Sequence, residues 1–309
     1  ADNLKVVGRA GIGLDNVDAT AASKRGIVVM NTPGGNTITT GEHAIAMMLS
    51  LARKIPQATA SMKGGKWEKN KFMGTEVFNK TLGVVGIGRV GAIVASRAQG
   101  LKMRVVAFDP FISPEAAGNL GITLVSLDEL LKESDFITVH TPMTKETRGM
   151  INAAAFAKMK KGVFIINCAR GGIVSEKDLH DALVAGKVAG AALDVFEEEP
   201  TKNADLVGLE KVICTPHLGA STDEAQVNVA IAIAEQVADY LIKGEIRNAV
   251  NFPSVSAELL TVIQPYLVLA EKLGRFHVQL VQGGIEEVII EYSGKILNYN
   301  VAPLTIALL

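Results

Sequence analysis

The sequence predicts an α/β protein built on a doubly wound parallel sheet. Short apolar runs rich in Val, Ile and Ala recur along the chain, stretches of helical spacing separate them, and most runs close on glycine or polar residues. Strands covered on both faces read as continuous apolar runs, and successive parallel strands need crossover connections, usually helical. The 309 residues are 48% hydrophobic and 20% charged, enough for a sizeable core and too apolar for wholesale disorder.

Taken in order, "LKVVGRA" (4–10) and "IVVMN" (27–31) are predicted strands around a short helix at about 16–25. A long helix is expected from about Thr40 to Lys63, kinked at Pro56, because proline removes an amide donor and crowds the preceding turn. "KTLGVVGIG" (80–88) is a buried strand, followed from Arg89 by a helix with Val90, Ile93, Val94 and Ala98 on one face. "RVVAF" (104–108), "DFITVHTP" (135–142), "VFIINCA" (163–169), "VAGAALDVF" (188–196) and "KVICTPH" (211–217) are the further strands. Helices are predicted over 126–134, over 152–162 with Gly162 closing it, and over 175–186, where Ser175 and Asp178 form a capping pattern and Gly186 ends the run. A long helix over 221–244 opens with Ser221 and Glu224 as a capping box and stops at Gly244.

"GVVGIGRVGA" (83–92) sets Gly86, Gly88 and Gly91 at a Gly-x-Gly-x-x-Gly spacing. In a chain with 30 glycines that spacing alone is weak, but strand, loop, helix and second strand lead to Asp109, 18 positions past Gly91. That context is the fingerprint of a dinucleotide cradle. Gly86 permits the tight turn, Gly88 lets the backbone approach a pyrophosphate, and Gly91 lets helix and strand pack closely. The helix N-terminus offers free amides and a positive dipole end. Asp109 suits a free ribose 2′-OH and repels a 2′-phosphate, and no Arg follows in "DPFIS", so NAD is expected over NADP. The alternatives are an ordinary glycine-rich turn and an Asp that merely caps a loop.

Three stretches end strands on the crevice side: "NCARGG" (167–172), "DVFEEEP" (194–200) and "CTPHLGAST" (214–222). The guanidinium of Arg170 can grip a carboxylate and an adjacent carbonyl together, and the glycines after it admit a ligand to the backbone. His217, set by Pro216, suits proton exchange near neutral pH. A neighbouring carboxylate would hold its tautomer and favour the imidazolium; Glu197, Glu198 and Glu199 all qualify by type. His43, His180 and His277 sit in helical patterns and read as structural, and His140 reads as cofactor-adjacent but not the acid.

A formal net charge of −1, from 31 basic and 32 acidic residues, provides no electrostatic footprint for nucleic acid or an anionic membrane. No apolar run reaches the roughly 18 residues of a membrane helix, and nothing resembles a signal peptide. Cys168 and Cys214 lack CxxC spacing and read as reduced thiols of a cytoplasmic protein, with no metal expected. Without an initiator Met, and closing inside an apolar pattern, the chain reads as cut at both ends.

"GRAGIGLDNVD" (8–18), "MNTPGGNTITTGEHAIAMML" (30–49), the glycine motif, "NCARGGIV", "ALDVFEEEP" and "PHLGAST" together resemble the D-isomer-specific 2-hydroxyacid dehydrogenases over nearly the whole chain. The resemblance implies Arg170 as the substrate-binding Arg, His217 as the acid/base and Glu199, just before Pro200, as its partner. It implies NAD contacts at Arg89, Val90, Asp109, Thr141, Cys168, Ala169, Asp194, Gly219 and Ala220. Arg9, Ile12, Gly13 and Asn36 would line the substrate, and Lys69 would reach the substrate phosphate of a neighbouring subunit.

Residues 1–32 would belong to a partial flavodoxin-like substrate domain and 33–222 to a Rossmann-type NAD-binding domain inserted in it. Residues 223–253 would return to the first, and 254–309 would open an α+β regulatory-type domain with a helix over 256–280 and a strand over 286–294. About half a domain would precede "LKVVGRAG". The implied activity is oxidation of a phosphorylated 2-hydroxy acid by a homodimer or homotetramer. A glyoxylate or hydroxypyruvate reductase and an NAD-sensing interaction module are the alternatives.

Overall fold

A computed structural model describes residues 3–14, 16–253, 257–280, 283 and 287–309. The chain divides into two compact units, Ala1–Asn36 with Glu224–Leu309, and Thr37–Asp223. In the first, β1 (Val6–Gly8) and β2 (Val28–Met30) pair in parallel around α1 (Ala19–Ser23). The Asp18 carboxylate caps α1 by accepting from the Ala21 amide at 2.8 Å, which satisfies one of the orphan donors of the first turn.

The second unit opens with α2 (Thr37–Ala52) and α3 (Ile55–Lys63), where the sequence predicts one kinked helix. Lys54 takes a left-handed conformation, φ 52°, and Pro56 stands in the first turn of α3. A missing amide costs nothing there, so the proline starts a second helix and does not bend the first. The chain then runs through a 3₁₀ turn (Lys69–Phe72) into the main sheet.

Its strands are β3 (Thr81–Val85), β4 (Arg104–Phe108), β5 (Thr123–Leu124), β6 (Phe136–Val139), β7 (Val163–Asn167), β8 (Val188–Leu193) and β9 (Val212–Cys214). They lie in the order β5-β4-β3-β6-β7-β8-β9, every pairing parallel. Between them run α4 (Arg89–Gly100), α5 (Pro114–Asn119), α6 (Leu127–Glu133), α7 (Ala153–Lys158), α8 (Glu176–Val184) and α9 (Ala204–Val207). Helix α7 stops at Lys158, short of the expected Gly162, while α6 keeps a full capping box between Ser126 and Glu129.

The apolar runs fill one cluster around Leu130, Ile137, Ile165 and Leu179, and another around Met48, Leu82, Ala95 and Phe136. At roughly 1.5–3 kcal/mol per buried aliphatic or Phe side chain, these two clusters dominate the stability of the unit. Because all seven strands point one way, every loop after a strand emerges at one edge. The connections turn in opposite directions on either side of β3, so a crevice opens between the β3 and β6 loops.

Helix α10 (Asp223–Lys243) begins the return to the first unit, where Ile233 and Tyr240 pack with Val28, Met30 and Ile246. Helices α11 (Ala257–Leu280) and α12 (Ala302–Leu308) close over a small cluster of Ile263, Ala270, Ile296 and Leu304. The strand expected over 286–294 is corrected. Glu286 lies outside the described residues, and 287–293 form no strand. A strand needs a partner edge for its amides, and the described residues of 254–309 provide none. Instead, Tyr292 packs against the helical cluster and its hydroxyl meets that of Thr305 at 2.8 Å.

Candidate active site

The glycine loop joins β3 to α4 at the crevice. Gly86 has φ 93°, and a Cβ there would stand 2.8 Å from the Thr141 methyl and 2.9 Å from the His140 carbonyl. A Cβ at Gly91 would overlap the Gly86 carbonyl oxygen, whereas Gly88 faces open space as the N-cap of α4. Two glycines are thus required by close packing, and the third leaves room in front of the free amides of Arg89, Val90 and Gly91. That is a phosphate cradle.

Asp109, at the end of β4, accepts from the Ile87 amide through Oδ2 and from the Phe111 amide through Oδ1, each at 2.8 Å. Each oxygen retains a lone pair, so the carboxylate is oriented against the loop and still able to accept from a diol. On the β6 side, Thr141 Oγ1 and His140 Nδ1 are buried with no hydrogen-bond partner. Buried polar atoms are nearly always partnered, so this pair marks a place where a ligand's polar groups complete the structure. These residues fit NAD. Burial pushes His140 down to about 4, which keeps it neutral and excludes it as an acid near neutral pH.

Asp109→Ala is expected to weaken NAD and let NADP compete better, because a ribose acceptor and a phosphate repeller are lost together. Dissociation constants for both dinucleotides check this; an unchanged preference for NAD would remove Asp109 from the ribose.

The loops after β7, β8 and β9 stand side by side because their strands do. After β7, buried Asn167 pins the loop, accepting from the Ala169 amide at 3.1 Å and donating to the Arg170 carbonyl at 3.0 Å. The Arg170 guanidinium donates to the Ala169 carbonyl at 2.7 Å. A Cβ at Gly171 would run into the Phe196 carbonyl, so the Arg170 loop lies directly on the β8 loop.

After β9, His217 adopts a left-handed φ of 57°. Its Nδ1 lies 2.7 Å from Glu199 Oε2, and Glu199 Oε1 accepts from the Phe196 amide at 3.1 Å. An ionised carboxylate can only accept, so Nδ1 carries the hydrogen and Nε2 presents its lone pair. The other two glutamates are engaged elsewhere: Glu197 accepts from the Glu176 amide at 3.0 Å, and Glu198 is paired with Lys202.

Asp194, buried at the end of β8, accepts from the Thr215 hydroxyl (2.6 Å) and the Leu218 amide (2.7 Å) through Oδ1, and from the Gly219 amide (2.8 Å) through Oδ2. Its backbone carbonyl also accepts from the His217 amide at 3.0 Å. Burial pushes the Asp194 carboxyl up, but hydrogen bonds from His43, Thr215 and Leu218 outweigh it and hold the group below the usual carboxylate range. Cys168, buried beside this charge, is pushed up and is an inert thiol. Ala169, Gly219 and Ala220 complete the edge.

In the other unit, the loop after β1 is strapped to the segment after β2. The Gly11 amide donates to Thr32 Oγ1 at 2.7 Å, and Asn31 Nδ2 donates to the Ile12 carbonyl at 2.9 Å. Arg9, Ile12 and Gly13 lie on that strap, and Asn36 ends the segment. Lys69 is exposed on the 3₁₀ turn of the second unit. Among the described residues no three His, Cys, Asp or Glu side chains gather as a metal site.

A glycine cradle at the switch point of a sheet in this order defines a dinucleotide-binding α/β protein. Residues 45–219, over half the chain, match the family described as D-isomer specific 2-hydroxyacid dehydrogenase, NAD binding domain. The chain belongs to the D-isomer-specific 2-hydroxyacid dehydrogenases. Residues 262–309 match the D-3-phosphoglycerate dehydrogenase intervening domain.

The chain is 53% identical over its whole length to D-3-phosphoglycerate dehydrogenase of Archaeoglobus fulgidus, covering 59% of that protein. It is 47% identical over 99% of its length to the Bacillus subtilis enzyme of the same name, covering 58% of it. It therefore spans under two thirds of these relatives. Among solved structures, D-lactate dehydrogenase from Aquifex aeolicus with NAD and lactic acid matches at a TM-score of 0.73 and 33% identity, over 81% of each chain. A glyoxylate reductase from Paecilomyes thermophila matches at 0.75 and 33%, over 81% of this chain and 76% of that one.

Proposed function

We propose that this protein oxidises the C2 hydroxyl of 3-phospho-D-glycerate to 3-phosphohydroxypyruvate, a step toward serine. The observation that carries the chemistry is the His217–Glu199 pair at 2.7 Å on the edge that also bears Arg170 and the NAD cradle. Substrate choice is supported by the names of the relatives and by the match over 262–309.

In this reading His217 Nε2 takes the hydroxyl proton, and Glu199 stabilises the imidazolium that forms. The Arg170 fork holds the substrate carboxylate and the developing carbonyl oxygen. Bound NAD supplies the hydride acceptor. The amides of the glycine loop hold its pyrophosphate, Asp109 its ribose and Thr141 its adenosine side. Cys168, Ala169, Gly219 and Ala220 flank the nicotinamide, and Asp194 meets its carboxamide. Arg9, Ile12, Gly13 and Asn36 are substrate contacts in this reading, and residues 1–32 with 223–253 form the substrate domain.

Initial rates with 3-phospho-D-glycerate, D-glycerate and D-lactate test the reading. The phosphorylated acid is expected to have the highest kcat/KM; equal or better turnover of D-glycerate would favour a hydroxypyruvate reductase, and turnover of none an NAD-sensing module. Among the described residues no helix is long and apolar enough to cross a membrane.

A homodimer forms in this reading through the arm of the second unit, whose apolar side chains lack cover: Trp67 is 82% exposed, Met73 77% and Met62 55%. Single monomers seldom leave such a cluster open to water. Sedimentation at micromolar concentration is expected to give a dimer or larger species, and a monomeric mass would refute the arm as an interface. Lys69, on the same arm, would then reach the other subunit's substrate phosphate.

A further inference from the structure

We propose that His43, on α2, is a positioning residue for the acid/base loop, acting through Asp194; this rests on the dehydrogenase reading above. Its helical setting predicts a merely structural histidine, but the fold carries its ring to the ends of β8 and β9. His43 Nε2 stands 3.1 Å from Thr215 Oγ1 and 3.2 Å from Asp194 Oδ1. The Thr215 hydroxyl hydrogen is already committed to Asp194 at 2.6 Å. Toward His43, therefore, Thr215 Oγ1 can only accept, and Nε2 must carry the hydrogen it shares with Asp194.

The aspartate side chain is 1% exposed, so its charge depends on these donors. The same carboxylate holds the Leu218 and Gly219 amides, which flank His217 on its C-terminal side, and its backbone carbonyl holds the His217 amide. His217 itself sits at φ 57°, a conformation a non-glycine residue keeps only where its surroundings over-determine it. The loop that aims the imidazole is thus tied to one buried carboxylate, and α2 supplies that carboxylate's side-chain donor from outside the loop. Helix α2 also closes on the turn itself, since a Cβ at Gly219 would lie 3.5 Å from the Thr40 methyl and 3.0 Å from Asp194 Oδ2.

The test compares His43→Ala with His43→Gln, whose amide nitrogen restores a donor, in the full-length protein. Two readouts are taken: hydrogen exchange of the Leu218 and Gly219 amides, and steady-state kinetics at saturating NAD. His43→Ala is expected to speed exchange at both amides and to lower kcat at saturating NAD about tenfold, as befits one lost hydrogen bond to a charged group. His43→Gln is expected to recover most of both losses.

Parental exchange and parental kcat in His43→Ala would overturn the proposal. So would a His43→Gln variant as impaired as His43→Ala, which would make the residue packing alone. Should His43→Ala fail to fold, His43→Met, which keeps bulk without a donor, takes its place. If the parent protein turns over no 2-hydroxy acid, the dehydrogenase reading fails, and the exchange rates still decide whether His43 holds the loop.

Discussion

His217→Ala is expected to lose about 100- to 10,000-fold in kcat, the usual contribution of a general acid–base group, while its NAD dissociation constant stays near the parental value. In the proposed reaction the imidazole acts on the substrate hydroxyl, while the loop that carries it is held by Asp194. Glu199→Gln keeps the shape of the partner and removes the charge that favours the imidazolium. Turnover is therefore expected to fall in Glu199→Gln in both directions of the proposed reaction. Glu198→Gln is expected to do much less, because Glu198 is engaged with Lys202. Initial rates of both Gln variants decide this; a loss in Glu198→Gln alone would reassign the partner.

Arg170→Ala is expected to be the second large loss. Truncating one member of a buried, hydrogen-bonded charge pair costs about 2–5 kcal/mol, so kcat/KM for the acid should fall roughly 30- to several-thousand-fold. Arg170→Lys keeps the charge but not the planar fork, and is expected to fall between the parent and Arg170→Ala. Asn167 pins the loop from beneath, so both variants should fold, with parental melting temperatures. Substrate titrations at saturating NAD measure the effect; parental kcat/KM in Arg170→Ala would place the carboxylate elsewhere.

The elements of the sheet were legible because their signals are local. "RVVAF" is β4 to the residue, and the other apolar runs contain their strands with ends a few residues shorter, as β6 within 135–142. The short strand β5 and helices α5 and α9 have too few residues to show a period. The sequence shows a kink where α2 and α3 separate because the decisive event is the left-handed turn at Lys54, which nothing in a lysine announces. The strand expected over 286–294 shows the opposite failure: an extended apolar pattern becomes a strand only where a neighbouring edge receives it.

Within the site, the sequence by itself determined the chemistry on offer: a glycine cradle with its acid at Asp109, a guanidinium at Arg170, an imidazole at His217 and three consecutive glutamates. Those follow from residue type and short spacing, which constrain backbone turns and side-chain chemistry directly. Tertiary structure alone decided which groups meet. Glu197, Glu198 and Glu199 are equivalent in composition, yet the turn after β8 sends the first to the Glu176 amide, the second to Lys202 and the third to His217. His43 reaches Thr215 across 172 positions. No local pattern encodes such a contact, because it exists only once parallel strand order has brought the β8 and β9 edges under α2, where a buried carboxylate must find its donors.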